Sequence, residues 1–178
     1  MVERLSFSHQ ELSLDEIAVY HADVETALFD FFSGTSQALL DRYADVGREE
    51  ARDRSLVELD YSSSLAVLSS VEAAVRLDYL RRAYDRWRDP LSKAMRKVYQ
   101  RKGSRARLEE ELIYLWGDVA ALPKVLISGL LGAFQYRHWL AHGRYWTPKF
   151  GRQYDYVAVF IIAQNFICEM DAYNAAKR

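Results

Sequence analysis

The sequence predicts an all-α protein, an up-and-down helical bundle that carries a helical extension at its N-terminal end. Three observations predict it. Apolar residues recur at helical spacing through most of the chain. Eight glycines and three prolines in 178 residues are few for a loop-rich or all-β protein. Half the residues are hydrophobic and 13% are aromatic, enough to bury a real core. No stretch reads as a strand, an internal repeat or a low-complexity linker. Residues 1–54 read as the extension packed on the bundle and 55–178 as the bundle, together one globular unit.

Taken in order, S-L-D-E from Ser13 to Glu16 is a capping box. Ile17, Tyr20, Val24, Ala27, Leu28 and Phe31 then form a helical stripe ended by Gly34. Thr35 is placed to cap a short helix with Ala38, Leu39 and Tyr43. The charged stretch Gly47 to Arg54 lacks a stripe and reads as a loop or frayed helix. A long helix follows from about Leu59 to Arg88, stopped by Asp89-Pro90, with Leu65, Leu68, Val75 and Tyr79 as its stripe. Glu72 lies on that stripe, and a carboxylate on an apolar face requires a partner. Pro90 suits the first turn of the next helix, which carries Leu91, Met95, Val98 and Tyr99 to about Arg101. After a break at Lys102-Gly103-Ser104, Leu108 to Trp116 is a short amphipathic helix. It is led by Glu109, Glu110 and Glu111, acids that favour a helix N-terminus. Leu122-Pro123 opens a helix with Ile127, Leu130, Leu131, Phe134, His138 and Ala141 on one stripe, and Gly143 suits its C′ position. A loop from Arg144 to Gln153 leads to a last helix, about Tyr154 to Ala176, with Val157, Phe160, Ile161, Gln164, Ile167 and Cys168.

The net charge of −1 conceals an asymmetry. Residues 1–60 hold fourteen acidic and five basic side chains, a net of −9, whereas residues 76–107 hold twelve basic and three acidic ones, a net of +9. The basic block either attracts a polyanion such as RNA or is a solvated helix face that pairs with the acidic part of this or a neighbouring chain. On the first reading, Arg81, Arg82, Lys93, Arg96, Lys97 and, further along, Arg144 are candidates to track an RNA backbone. Cys168 is the only cysteine, which excludes an intrachain disulfide and a cysteine zinc cluster and suits a reducing cytoplasm. The opening M-V-E-R-L-S-F-S-H-Q shows no basic-then-apolar leader pattern, and no apolar run approaches the roughly 18 residues of a membrane span. The expectation is a cytoplasmic protein.

The richest chemistry lies from Tyr136 to Trp146, Y-R-H-W-L-A-H-G-R-Y-W, which gathers two of the four histidines beside Arg137. His138 and His142 stand four apart, about 40° on a helix, so both can reach one ion. A zinc-protease motif places Glu directly after its first histidine, where this chain has Trp139. No metal site is therefore expected. Phosphate chemistry fits the stretch differently. Arg137 offers a fork-shaped permanent cation for phosphate oxygens, and His142 can act as general acid or base near neutral pH. Five residues separate them, about 140° around a continuous helix. They converge only if the helix ends between them or a second copy contributes across a two-fold axis. The alternative is structural: His138 as a core or interface histidine on the apolar stripe, Trp139 and Trp146 as packing, and Glu72 as the residue that holds Arg137 or another cation.

R-H-W-L-A-H, Arg137 to His142, resembles the Arg-x4-His motif that marks HEPN domains (higher eukaryotes and prokaryotes nucleotide-binding). In that family a polar residue often follows the arginine, as His138 does. The stretch S-S-V-E-A-A-V-R-L-D-Y from Ser69 to Tyr79 and R-H-W-L-A-H-G-R-Y-W also resemble a bacterial HEPN subgroup, and the likeness covers about residues 55–175. It implies a HEPN-like bundle of four or five helices and a metal-independent endoribonuclease, commonly a toxin or a defence or stress component, without a cofactor. It implies a homodimer in which two motifs face each other. By position, Arg137 and His142 are the catalytic pair and His138 orients them; Glu72 as a supporting residue is our own inference. Many such toxins are paired with a minimal nucleotidyltransferase antitoxin, and in those pairs a tyrosine two residues after the histidine is modified with AMP. Here that position is Arg144, with Tyr145 one further on. Other HEPN domains lack nuclease activity and serve as helical interaction or nucleotide- and RNA-binding modules, which is the alternative reading.

Overall fold

The computed structural model describes residues 4–177, and among them every regular element is helical. The chain is an all-α bundle. Its first helix, α1 (Leu14–Ser33), starts at the capping box the sequence predicts. Ser13 Oγ accepts from the Glu16 amide at 3.2 Å, and Glu16 Oε2 accepts from the Ser13 amide at 2.8 Å. A short α2 (Gln37–Arg42) follows, capped by Ser36 rather than Thr35. The long α3 (Arg48–Tyr84) is the axis of the molecule, with α4 (Pro90–Lys102), α5 (Tyr114–Asp118), α6 (Lys124–Ala141) and α7 (Tyr156–Lys177) around it.

At 37 residues, α3 is about 55 Å long. It begins eleven residues before the start the sequence suggests, and the charged stretch after Gly47 is helical throughout. Two features explain the difference. Glu49 and Glu50 sit in the first turn, where the helix dipole favours acids. Ala51 is buried with Phe32 and Leu39 in a small second core, separate from the main one. The extension expected over residues 1–54 therefore shares one helix with the bundle. At its other end α3 stops at Tyr84, four residues early, and Arg86 takes a positive φ of 54°. Asp89-Pro90 does not terminate α3. Asp89 caps α4 instead, its Oδ1 accepting from the Ser92 amide at 3.0 Å.

α1 runs antiparallel to α3. Leu12 meets Ser70, His21 meets Asp60, and the Gly34 carbonyl meets Arg48. The face of α1 turned to α3 differs from the expected stripe. Ile17, His21 and Phe32 are buried, while Tyr20, Ala27 and Phe31 face outward. A polar residue decides this register: His21 Nε2 bonds Asp60 Oδ1 at 3.1 Å, and its ring stacks on Tyr156 at 3.8 Å. A count of apolar residues could not include it. α7 shows a similar rotation. Val159, Ile162, Ala163, Phe166 and Met170 face the core, leaving Val157, Ile161, Gln164 and Cys168 exposed. Its first turns are apolar nearly all round, so periodicity does not single out a face. Between α4 and α6, Leu108–Ile113 forms a wide π turn that leads into α5, with the Leu112 amide bonding the Arg107 carbonyl five residues back.

Arg82 is the electrostatic centre of the core. Its guanidinium is fully buried. Nε donates to Asp78 at 2.6 Å, Nη1 to Asp89 at 3.0 Å and to Ser92 at 2.8 Å, and Nη2 to Asn174. Trp87, Trp116 and Tyr173 surround it. One side chain thus ties α3, α4 and α7 together, and Arg82 is withdrawn from the set of RNA-contacting candidates: a buried cation satisfied by two carboxylates is a structural group. Burial pushes the Asp78 carboxyl above its ordinary range despite Arg82. Burial also opposes ionisation of Asp89, but its bonds to Ser92 and the charge of Arg82 prevail and hold it below that range. Among the described residues no helix is long and apolar enough to cross a membrane.

Candidate active site at the end of α6

α6 ends where the sequence places its stop. Gly143, at a φ of 81°, returns its amide to the Leu140 carbonyl, and the Arg144 amide bonds the Trp139 carbonyl at 3.2 Å. This is the Schellman arrangement of a glycine-terminated helix. His142 is consequently the last residue before the chain turns away. The turn is pinned from outside as well. Trp139 Nε1 donates to the Trp146 carbonyl at 2.8 Å, and Arg144 bonds Glu58 at 2.7 Å while its guanidinium lies 4.7 Å from the centre of the Tyr61 ring.

Arg137 leaves α6 toward α3. Its Nη2 lies 3.1 Å from Glu72 Oε2, and the other oxygen of Glu72 accepts from Arg76 Nε at 2.7 Å. Arg76 is itself fixed by the Ala106 carbonyl. Arg137 Nε is buried with no hydrogen-bond acceptor. Glu72, on its half-buried face of α3, therefore has two cationic partners.

His138 does not lie in the core. It is exposed, as is His142, and the two rings stand 4.2 Å apart at 51° to each other. The apolar stripe of α6 runs instead through Leu130, Ala133 and Phe134, with Tyr136 buried on the neighbouring side. α6 packs against α3, α5 and α7, and the side of it that carries Ser128, Gln135, His138 and His142 is left exposed. Among the described residues, Arg137 and His142 share no hydrogen bond or ring contact, in keeping with their angular separation. Nor do three His, Cys, Asp or Glu side chains gather there as a metal-binding group.

Glu109, on the π turn, completes this end of the molecule. Together with Gln135, His138, Trp146, Lys149 and Phe150 it lines a pocket beside the histidine pair. Partial burial of its carboxyl and then the charge of Glu110 push its pKa up, against the pull of His138 and Arg137. The sequence marks Glu109 only as a helix-start acid, and Lys149 and Gln135 carry no signal there at all. They join the motif through the fold alone. Arg76, likewise, reaches the site through Glu72.

The remaining basic candidates divide by environment. Lys93 and Lys97 are exposed on α4. Arg81 is exposed and stacks over Phe7. Arg96 is half-buried and donates to the Trp87 carbonyl, and Arg144 is half-buried against Tyr61 and Glu58. α1 docks on α3 and Tyr156; among the described residues no hydrogen bond, ion pair or ring contact joins it to residues 136–146. Comparison with protein-family models, with curated proteins and with solved structures gives no match.

Proposed function

We propose that the chain is a metal-independent endoribonuclease of the HEPN type, acting as a cytoplasmic toxin or a defence or stress component. The observation that carries this reading is the exposed His138–His142 pair directly beyond a tethered arginine. Cleavage by transesterification removes a proton from the 2′-hydroxyl, forms the bond from the 2′-oxygen to phosphorus, and expels the 5′-oxygen, which takes up a proton. His142 is placed to exchange those protons, and His138 at its side orients the ring. Arg137 stabilises the charge that gathers on the phosphorane oxygens.

Within one chain Arg137 turns toward α3 and His142 toward His138. A homodimer that joins two such ends supplies an arginine from one copy and a histidine from the other. Ser128, Gln135, His138 and His142 follow one another at helical intervals on the exposed side of α6, a continuous face suited to that pairing. Of the candidate cations, Lys93, Lys97 and Arg81 are the exposed ones and would meet an RNA backbone. An antitoxin such as a minimal nucleotidyltransferase is the corresponding partner.

The test is RNA degradation in EDTA by wild type, Arg137→Ala and His142→Ala, with folding checked by circular dichroism and mass by sedimentation. Loss of cleavage in both folded variants supports the assignment, and full activity in either removes that residue from it. Growth after induction provides a cellular readout, with toxicity expected for wild type and lost in His142→Ala. A second reading, a non-enzymatic helical interaction module, is favoured by the outward apolar side chains Val19, Tyr20, Phe29 and Phe31 of α1, each at least 43% exposed. It predicts no cleavage by any form and RNA binding too weak to show a salt dependence.

A further inference from the structure

The pocket beside the histidine pair borders His138, and its other lining residues have no part in the phosphate chemistry above. It is an open depression of about 340 Å³, at the lower end of the roughly 300–1,000 Å³ that small-molecule pockets occupy. Its wall combines the flat rings of Trp146 and Phe150 with three polar groups, Glu109, Lys149 and Gln135, and it opens onto His138. The backbone at Trp146 is anchored, its carbonyl taking the Trp139 indole N–H at 2.8 Å, and its ring stands 6.1 Å from that of His138. Glu109 and His138 line the same pocket, and the His138 ring stands 4.2 Å from that of His142, so the pocket adjoins the proton-transferring histidine.

We infer that this pocket receives a guanine base of the RNA being cut, an inference that rests on the ribonuclease reading. A carboxylate offers acceptors only, and an ammonium offers donors only. Guanine is the base whose pairing edge presents two adjacent donors, N1–H and the N2 amino group, beside a carbonyl acceptor, O6. Glu109 matches the donors and Lys149 matches the carbonyl. Adenine and cytosine present a ring-nitrogen acceptor next to their amino group, which would face the carboxylate with lone pair against lone pair. Uracil presents a single N–H between two carbonyls. The indole of Trp146 stacks on any base and so contributes affinity without selection. Glu109 is thus a specificity-determining residue, and Trp146 a general platform.

The experiment is calorimetric titration of the full-length chain with the 5′-monophosphates of guanosine, adenosine, cytidine and uridine, beside an RNA cleavage assay in EDTA. Wild type should bind the guanosine nucleotide about tenfold or more tightly over the other three, the size of a two-point base contact. Glu109→Gln, a substitution at an exposed position, replaces one acceptor with a donor and should abolish that preference while the fold is retained. Trp146→Ala should weaken all four nucleotides alike. Equal binding of the four by wild type, or a guanosine preference undiminished in Glu109→Gln, overturns the inference. RNA cleavage without guanosine preference overturns the pocket and leaves the ribonuclease standing. Guanosine-selective binding without cleavage by wild type does the reverse: the pocket stands and the ribonuclease reading falls.

Discussion

Glu72 on α3 grips Arg137 on α6 at 3.1 Å through one oxygen and Arg76 at 2.7 Å through the other, so the arginine of the motif is held from a neighbouring helix. The side chains of Arg137 and Glu72 retain 34% and 21% of their exposure, and solvent therefore screens the pair. Its weight in stability is small, on the order of 1 kcal/mol or less. Its weight in positioning is larger. Glu72→Gln should lower the melting temperature by no more than about 2–4 °C. On the ribonuclease reading, it should lower kcat on RNA about tenfold with KM little changed, since a loosened guanidinium weakens its contact to the transition state more than substrate binding. Glu72→Asp should recover part of the loss. A kcat equal to wild type in the Gln variant would confine Glu72 to packing.

Arg82 and the lysines of α4 belong to the same basic block of sequence but should behave in opposite ways. Arg82→Met leaves Asp78 and Asp89 buried without their cation, and breaking such a pair costs about 3–5 kcal/mol. The melting temperature should fall by roughly 6–20 °C. Arg82→Lys should recover little, because one ammonium cannot serve Asp78, Asp89, Ser92 and Asn174 in the plane that the guanidinium spans. Lys93→Ala and Lys97→Ala, at exposed positions, should leave the melting temperature within about 1–2 °C of wild type. On the ribonuclease reading each should reduce the salt slope of RNA binding by about one unit. Differential scanning calorimetry and binding at several salt concentrations separate the two classes.

The same contrast explains how much of this molecule is legible in its sequence. The capping box at Ser13, Pro90 at the start of α4 and Gly143 at the end of α6 are local rules, and each appears in place. Which face of a helix is buried is a non-local matter, and it goes astray wherever a polar side chain takes part. His21 turns α1 by finding Asp60, and His138 is exposed beside His142 at the end of α6 rather than buried on its apparent stripe. Arg82 looks like any surface arginine until the chain brings Asp89 and Asn174 around it from two other helices. In the site, Arg137, His138 and His142 are readable because they are contiguous. Glu109 and Lys149 are not, because they approach from 29 residues before His138 and 11 after it, with no spacing pattern to mark them.

The Arg82 network gives stability a defined acid response. Asp89 is held below its ordinary range in the fold, so it contributes stability that is fully present above the unfolded carboxylate value of about 3.9 and is lost as pH falls through its depressed folded value. Asp78 has the opposite sign. Burial raises its folded pKa, so its ionisation opposes folding, and lowering the pH from neutral relieves that opposition as it becomes protonated. Melting temperatures of wild type and Asp89→Asn measured between about pH 2 and 7 should differ most near neutrality and draw together as pH falls below the unfolded carboxylate value of about 3.9. A gap independent of pH would mean that Asp89 acts through its shape and hydrogen bonds rather than its charge.

Two glycines allow the end of α6 to be tested apart from general stability. Gly143 has a φ of 81° and Gly47 a φ of 84°, and a Cβ at either would meet nothing within 4 Å. Alanine at each position therefore suffers backbone strain alone, about 1–2 kcal/mol at the left-handed Gly143 and about 1–3 kcal/mol at Gly47, whose ψ of 145° puts it in an extended, nearly glycine-only region at positive φ. Gly143→Ala should lose about 2–8 °C of melting temperature and Gly47→Ala about 2–12 °C. Their functional consequences should diverge. Gly47 precedes the far end of α3, near the small second core. Gly143 follows His142 and closes the turn that fixes it against His138. On the ribonuclease reading, Gly143→Ala should depress RNA cleavage about tenfold or more, in line with the sensitivity of catalysis to misplacement of an acid–base group, and Gly47→Ala should leave it unchanged. Equal cleavage by the two variants at matched stability would show that chemistry at this end of α6 does not depend on where the helix places His142.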